Sequence, residues 1–217
     1  MTLLKPWACV LGLVLLFCPA ASAQGKVTRI GPVEAAAVPA NLEQAVGKKG
    51  YRVTLADGWT ADFWFSKQLK TVAKDVPDAV YPELSNGEFV GIVDLNKGIT
   101  DYRGQNIAPG IYTLRYQTIP QDGNHMGVAP NPDFVLLIPA ASDPDPAVLV
   151  LYKKLVALSS KATRTSHPAV LALEAPGDPG TVERDPQGTI TFSVAIPASG
   201  IGPSERLTLV LKGQAPQ

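Results

Sequence analysis

Pro109-Gly110-Ile111-Tyr112-Thr113-Leu114-Arg115-Tyr116-Gln117-Thr118, with Phe134-Val135-Leu136-Leu137-Ile138 a short distance beyond it, decides the fold. A Pro-Gly turn opens the first segment. Ile111, Thr113, Arg115 and Gln117 then point one way, and Tyr112, Leu114, Tyr116 and Thr118 the other, the period of two that a strand requires. The second segment is apolar at every position, as expected for a strand covered on both faces. Two such neighbours predict a β-rich core.

Working outward, Tyr51, Val53 and Leu55 alternate with Arg52 and Thr54, and Asp57-Gly58 is a two-residue hairpin signal with a return strand over 59–65. Further strands are expected over 88–95, ended by Asn96-Lys97-Gly98, and over 169–173, 189–196 and 206–211. The last two flank the proline- and glycine-rich stretch 197–203 and are placed to pair across it. Twenty prolines and 19 glycines suit short strands and tight turns better than a helical bundle.

One amphipathic helix is expected over 146–161. Asp145 can cap it, Pro146 suits its first turn, and Val148, Leu151, Tyr152, Leu155 and Val156 fall on one face. Lys153, Lys154 and Lys161 lie toward its carboxyl end, where positive charge suits the helix dipole. Ala40 to Val46 reads as a short helical turn that Gly47 can end. The fold class expected is mainly β, an antiparallel β-sandwich with one helix.

The amino terminus sets the compartment. Lys5, the apolar stretch 7–18 and Ala21-Ser22-Ala23 form a charged region, a short apolar region and a small-residue cleavage site, so 1–23 reads as a signal peptide. Bacterial export to the periplasm or medium is expected, with cleavage near Ala23. A lipid-modified Cys18 is the competing reading, disfavoured by the large Phe17 before it. Residues 24–39 are weakly patterned and read as a poorly ordered arm with an edge strand over 27–30. Residues 40–217 read as one domain. Both cysteines, Cys9 and Cys18, fall in the leader, which leaves the mature chain no disulfide, thiolate metal site or cysteine nucleophile. With 19 basic and 19 acidic residues there is no field to gather nucleic acid, and no stretch is long and apolar enough to span a membrane.

The segment richest in chemistry is Gln121-Asp122-Gly123-Asn124-His125-Met126-Gly127. Its glycines allow Asp122, Asn124, His125 and Met126 to converge on a small ligand. His125 with Asp122 suits a divalent metal, and His125 with Met126 suits copper. The bland reading is a structured loop whose side chains bond the backbone. His167, the other histidine, would complete a three-ligand site with His125 and either Asp122 or Asp133 if the two segments share one end of the fold. Otherwise no cofactor is expected.

Hydrolase signals are weak. Gly-x-Ser-x-Gly is absent, and Ser166-His167 are neighbours whose side chains point apart. The spacing of paired carboxylates in space is not legible from sequence. Asp94 to Asp101 has oxygen ligands beside a glycine but not the calcium-loop register. Trp59, Ala61, Phe63 and Phe65 share a core face. Trp64, between polar neighbours, is the aromatic to consider for stacking on a sugar, with core packing the preferred reading.

Pro109-Gly110-Ile111-Tyr112-Thr113-Leu114 resembles the glycine-turn and tyrosine strand of exported bacterial β-sandwich modules, among them transthyretin-like and carboxypeptidase-regulatory-like domains. The stretch continuing to Phe134 is similar to uncharacterised secreted bacterial proteins. This resemblance implies a β-sandwich and carries no catalytic residues across. The function expected is a non-enzymatic protein that binds a protein partner or small ligand through end loops. The alternatives are a metal-binding protein or metal-assisted hydrolase using His125 and His167, and a glycan-binding or cell-envelope structural protein.

Overall fold

In a computed structural model describing residues 25–74, 76–120, 131–143 and 145–213, the Pro-Gly segment forms a nine-residue strand at the centre of the molecule. In chain order the first strands are β1 (Gly25–Ile30), β2 (Gly50–Leu55), β3 (Thr60–Phe65), β4 (Leu69–Lys70) and β5 (Phe89–Leu95). A two-stranded ribbon, β6 (Ile99–Thr100) with β7 (Asn106–Ile107), precedes the central β8 (Gly110–Thr118) and β9 (Asp133–Pro139). Then come β10 (Val170–Glu174), β11 (Val182–Arg184), β12 (Ile190–Ser199) and β13 (Ser204–Lys212). Two α-helices are described, α1 (Ala40–Ala45) and α2 (Tyr152–Thr163).

The fold is mainly β, as expected. The strands join in one large curled mixed sheet, ordered β1-β2-β3-β5-β8-β9-β10-β13-β12-β11. Only β4 runs parallel to its partner, β12. The sheet turns its corner at β10, which pairs with β9 through Val170, Leu171 and Ala172 and with β13 through Leu173 and Glu174. The curl brings Phe63 on β3 opposite Phe192 on β12, with ring centroids 5.4 Å apart. At the far edges Gly25 of β1 lies against Val182 of β11; an added Cβ would sit 2.9 Å from its methyl carbon.

Alternation places one face of nearly every strand inside the curl. Val53, Phe63, Val93, Leu114, Leu137, Leu171, Val194 and Leu209 share one core, each fully or almost fully buried. Each such side chain contributes about 1.5–3 kcal/mol relative to exposure. β12 and β13 form the expected hairpin across 197–203. Residues 25–30, expected to lie in a weakly patterned arm, pair along six positions with β2.

Two segments cover the outer face of the sheet. Residues 31–46, with α1, bury Val33, Val38, Leu42 and Val46 against Trp64, Phe89 and Ile92. Trp64 is therefore buried rather than displayed, and its indole N–H donates to the Gly31 carbonyl at 2.9 Å. This removes the exposed aromatic on which sugar stacking depended. A bulge between Phe89 and Gly91 turns Phe89 to this outer face while Val90 and Val93 stay inside.

The second cover is α2, and it corrects the expected helix over 146–161. The helix begins at Tyr152, and it buries Leu155, Ser159 and Ala162 while Val148, Leu149 and Leu151 are exposed. The cause is Arg115. Its guanidinium is fully buried and forms a two-pronged ion pair with Asp143, with Nε to Oδ2 at 2.8 Å and Nη2 to Oδ1 at 2.6 Å. It also donates to the carbonyls of Gly87, Asp145 and Val148. The carbonyls of Asp145 and Val148 would accept the first bonds of a helix begun at Pro146, so the chain stays open until Leu151. The Asp145 carboxylate caps only a local turn, taking the Ala147 N–H at 2.8 Å.

Candidate functional site

A pocket of about 570 Å³ lies on the outer face, over β9 and β10. Its floor is built by β9 and β10, where Phe134 and Ala172 are cross-strand partners and Val170 stands beside them. Tyr152 and Val156 of α2 form one wall. The tip of the β6–β7 ribbon supplies Tyr102, Arg103 and Gln105, and the segment after α2 supplies Ser166, His167 and Pro168. Ile119 and Pro120 close the remaining side.

Asp101 shapes the ribbon tip. It is buried, and its Oδ1 accepts the backbone N–H groups of Arg103 and Gln105 at 3.0 and 2.9 Å. Its Oδ2 accepts the Gln105 amide at 2.8 Å. Gly104, at φ +84°, permits the tight return. These bonds occupy the oxygens that a cation would need, so the segment ending at Asp101 is a turn and not a calcium loop. The tip is stapled to the 165–168 segment: the Pro168 carbonyl accepts from Arg103 Nη2 at 2.8 Å and from Gln105 Nε2 at 3.3 Å.

Arg103 is the unusual member. Its Nε is buried and has no hydrogen-bond partner among the described residues. A buried donor left unpaired costs about 1–3 kcal/mol. None of the described lining residues is acidic, so Arg103 is the one fixed charge at a largely apolar surface. Such an arrangement, an apolar cavity with a few convergent polar groups, is what small-ligand sites present.

The sequence candidates fare unevenly. Asp122, Asn124, His125 and Met126 lie outside the described residues, as does the stretch 1–23 expected to be a signal peptide. His167 is exposed, and its backbone carbonyl accepts from Thr163 and Thr165. It lines the same pocket as Ile119 and Pro120. Asp133, the other candidate ligand, is not available to a metal. Its Oδ1 takes the Tyr81 N–H at 3.0 Å and the Tyr116 hydroxyl at 2.6 Å, and its Oδ2 takes the Val80 N–H at 2.7 Å. Among the described residues no group of three histidine, cysteine or acidic side chains is arranged to hold a metal, and no helix is long and apolar enough to cross a membrane.

Two carboxyl pairs that sequence could not locate come together elsewhere. Asp62 and Asp94 are cross-strand partners on β3 and β5, facing a smaller cleft under residues 30–37. Both Asp62 oxygens are taken by the Arg52 fork, at 2.7 and 2.6 Å, and burial followed by the Asp62 charge pushes the Asp94 carboxyl up. The second pair is Glu205 with Glu83. Burial, then the hydrogen bond to Glu83, pushes the Glu205 carboxyl from its ordinary 4.5 up to about 7.

That second pair has a consequence for stability. Between pH 4.5 and about 7 the folded chain holds a proton that the unfolded chain has released. Stability from this pair is therefore complete below 4.5, falls as pH rises through 7, and levels off above it. Glu205 is half-buried, so after discounting for solvent the loss is about 1 kcal/mol. Thermal melts should show a wild-type Tm that declines between about pH 5 and pH 8 relative to Glu205→Gln; parallel curves would refute the shared proton.

Comparison with family models, curated proteins and solved structures finds no match to this chain.

Proposed function

We propose that the chain is an exported, non-enzymatic binding protein that holds a small ligand in the pocket between α2, the ribbon tip and the outer faces of β9 and β10. The curled sheet is read as a sandwich folded over at β10, whose rigid outer face carries the site. Export rests on the leader, with cleavage near Ala23 and residence in the periplasm or medium.

The pocket carries this reading. At about 570 Å³ it falls within the range of ligand sites, its floor is apolar, and its polar groups gather at one side. The ribbon tip and the 165–168 segment that bound it are fixed to each other by side-chain and backbone hydrogen bonds. A preformed cavity loses less ordering entropy on binding. A binding role is favoured over catalysis because the Asp101, Asp133 and Asp62 carboxylates are all committed to structural bonds.

Titration with the neutral fluorescent probe N-phenyl-1-naphthylamine tests the site. One-site binding to the wild type is expected, weakened at least about tenfold in Val156→Trp, where the indole fills the cavity. Circular dichroism should be unchanged. Equal binding by both proteins would place the probe elsewhere and remove the pocket as the site.

A further inference from the structure

We infer that the ligand is an amphipathic monocarboxylate, an apolar body ending in one acid group, with that acid seated on Arg103. This rests on the pocket reading above and specifies what the pocket takes.

The apolar body follows from the floor and wall: Phe134, Val170, Ala172 and Val156 face the same cavity, and apart from Tyr152 of α2 the described polar groups come from the ribbon tip and the adjoining Ser166 and His167. The acid follows from Arg103. The guanidinium is held in place through Nη2, which donates to the Pro168 carbonyl at 2.8 Å. Its fold-internal counterion is Asp101, 3.5 Å from Nη2, whose oxygens already receive the backbone and amide donors of the turn. Nε, shielded from solvent, finds no acceptor in the described chain, so the fold leaves the guanidinium's hydrogen bonding incomplete. A carboxylate at the accessible edge of the guanidinium, which lines the cavity, adds a charge-assisted bond, stronger than a neutral acceptor would give.

A single negative charge fits better than a double one. Arg103 is the one fixed cation among the described lining residues, already shared in part with Asp101, so a dianion would enter an apolar site with a charge uncompensated. An amine is excluded more strongly, because it meets a cation and offers the guanidinium no acceptor.

Competition against bound N-phenyl-1-naphthylamine with 4-phenylbutyrate, 4-phenylbutanol and 4-phenylbutylamine tests this. These share one apolar body and differ in the head group. The acid is expected to displace the probe at least about tenfold more tightly than the alcohol, with the amine weakest. Arg103→Gln should bring the acid level with the alcohol. The readout is the acid-to-alcohol ratio, which a general loosening of the ribbon tip would leave unchanged. Raised salt should weaken the acid alone. An alcohol that competes as well as the acid, or a ratio unaffected by Arg103→Gln, overturns the monocarboxylate and leaves the pocket standing. A wild type that binds no probe overturns the pocket reading itself, and this inference with it.

Discussion

Asp143→Ala is expected to lower the free energy of unfolding by about 3–5 kcal/mol, measured by urea denaturation. That is a large part of the roughly 5–15 kcal/mol that holds a typical domain folded. Arg115 and Asp143 are both fully buried, and the guanidinium uses Nε and Nη2 on the carboxylate. Removing the acid leaves a cation in the interior with two donors unpaired, and nothing among its other partners is negative: Gly87, Asp145 and Val148 offer carbonyls only. Thr113, whose hydroxyl donates to Asp143 Oδ2 at 2.6 Å, loses its nearer acceptor as well and keeps only the Ile138 carbonyl at 3.4 Å. Removing both charges, as in Arg115→Met with Asp143→Leu, should cost less than Asp143→Ala alone, because no bare charge remains. It should not restore the wild-type value, since the Gly87 and Val148 carbonyls would lose the guanidinium donor and the Asp145 carbonyl would keep only the Val148 N–H at 3.3 Å. A loss below about 1 kcal/mol for Asp143→Ala would show that the cation is compensated by other means.

The same ion pair marks the limit of what was legible in the sequence. Alternation is a local property, and it separated Tyr112, Leu114 and Tyr116 on one face from Thr113, Arg115 and Gln117 on the other. It could not show that the second face is also buried, because the cover is a loop 28 residues away in sequence. The helix start failed for that reason: Asp145 and Pro146 are sound capping signals, and a distant guanidinium took the carbonyls. Trp64 is buried, as its preferred core reading had it, but its polar neighbours gave no sign that residues 31–46 are what cover it. Of the site, His167 was singled out by its chemistry and does line the pocket. Arg103 was not singled out, although Asp101-Tyr102-Arg103-Gly104 carries a turn signature that projects one cation from a rigid tip. A charged residue inside a tight turn usually reads as solvated surface, and only the unpaired Nε distinguishes this one.

Asp133→Ala should be the second costly change, with an expected loss of about 2–4 kcal/mol. Asp133 opens β9 at a fully buried position and draws in the segment before β5 by accepting the N–H groups of Val80 and Tyr81. Tyr81 in turn holds the corner of the sheet. Its hydroxyl donates to the Glu174 carbonyl at 2.6 Å on β10 and accepts the Thr208 N–H at 3.0 Å on β13, the two strands between which the sheet changes direction. Burial pushes the Tyr81 phenol well above its ordinary value, which keeps that donor protonated. The Tyr116 hydroxyl is less dependent on Asp133, because the Tyr81 carbonyl at 2.9 Å offers it a second acceptor. The costs should therefore rank Asp133→Ala above Asp133→Asn, which keeps one acceptor oxygen, and both above Tyr116→Phe at about 1 kcal/mol. Hydrogen exchange provides the sharper check. Asp133→Ala should speed exchange at Val80, Tyr81 and Thr208 together, while Tyr116→Phe leaves Thr208 protected. If Thr208 exchanges at the wild-type rate in Asp133→Ala, the corner is held by the strands themselves, and Asp133 anchors only the segment beside it.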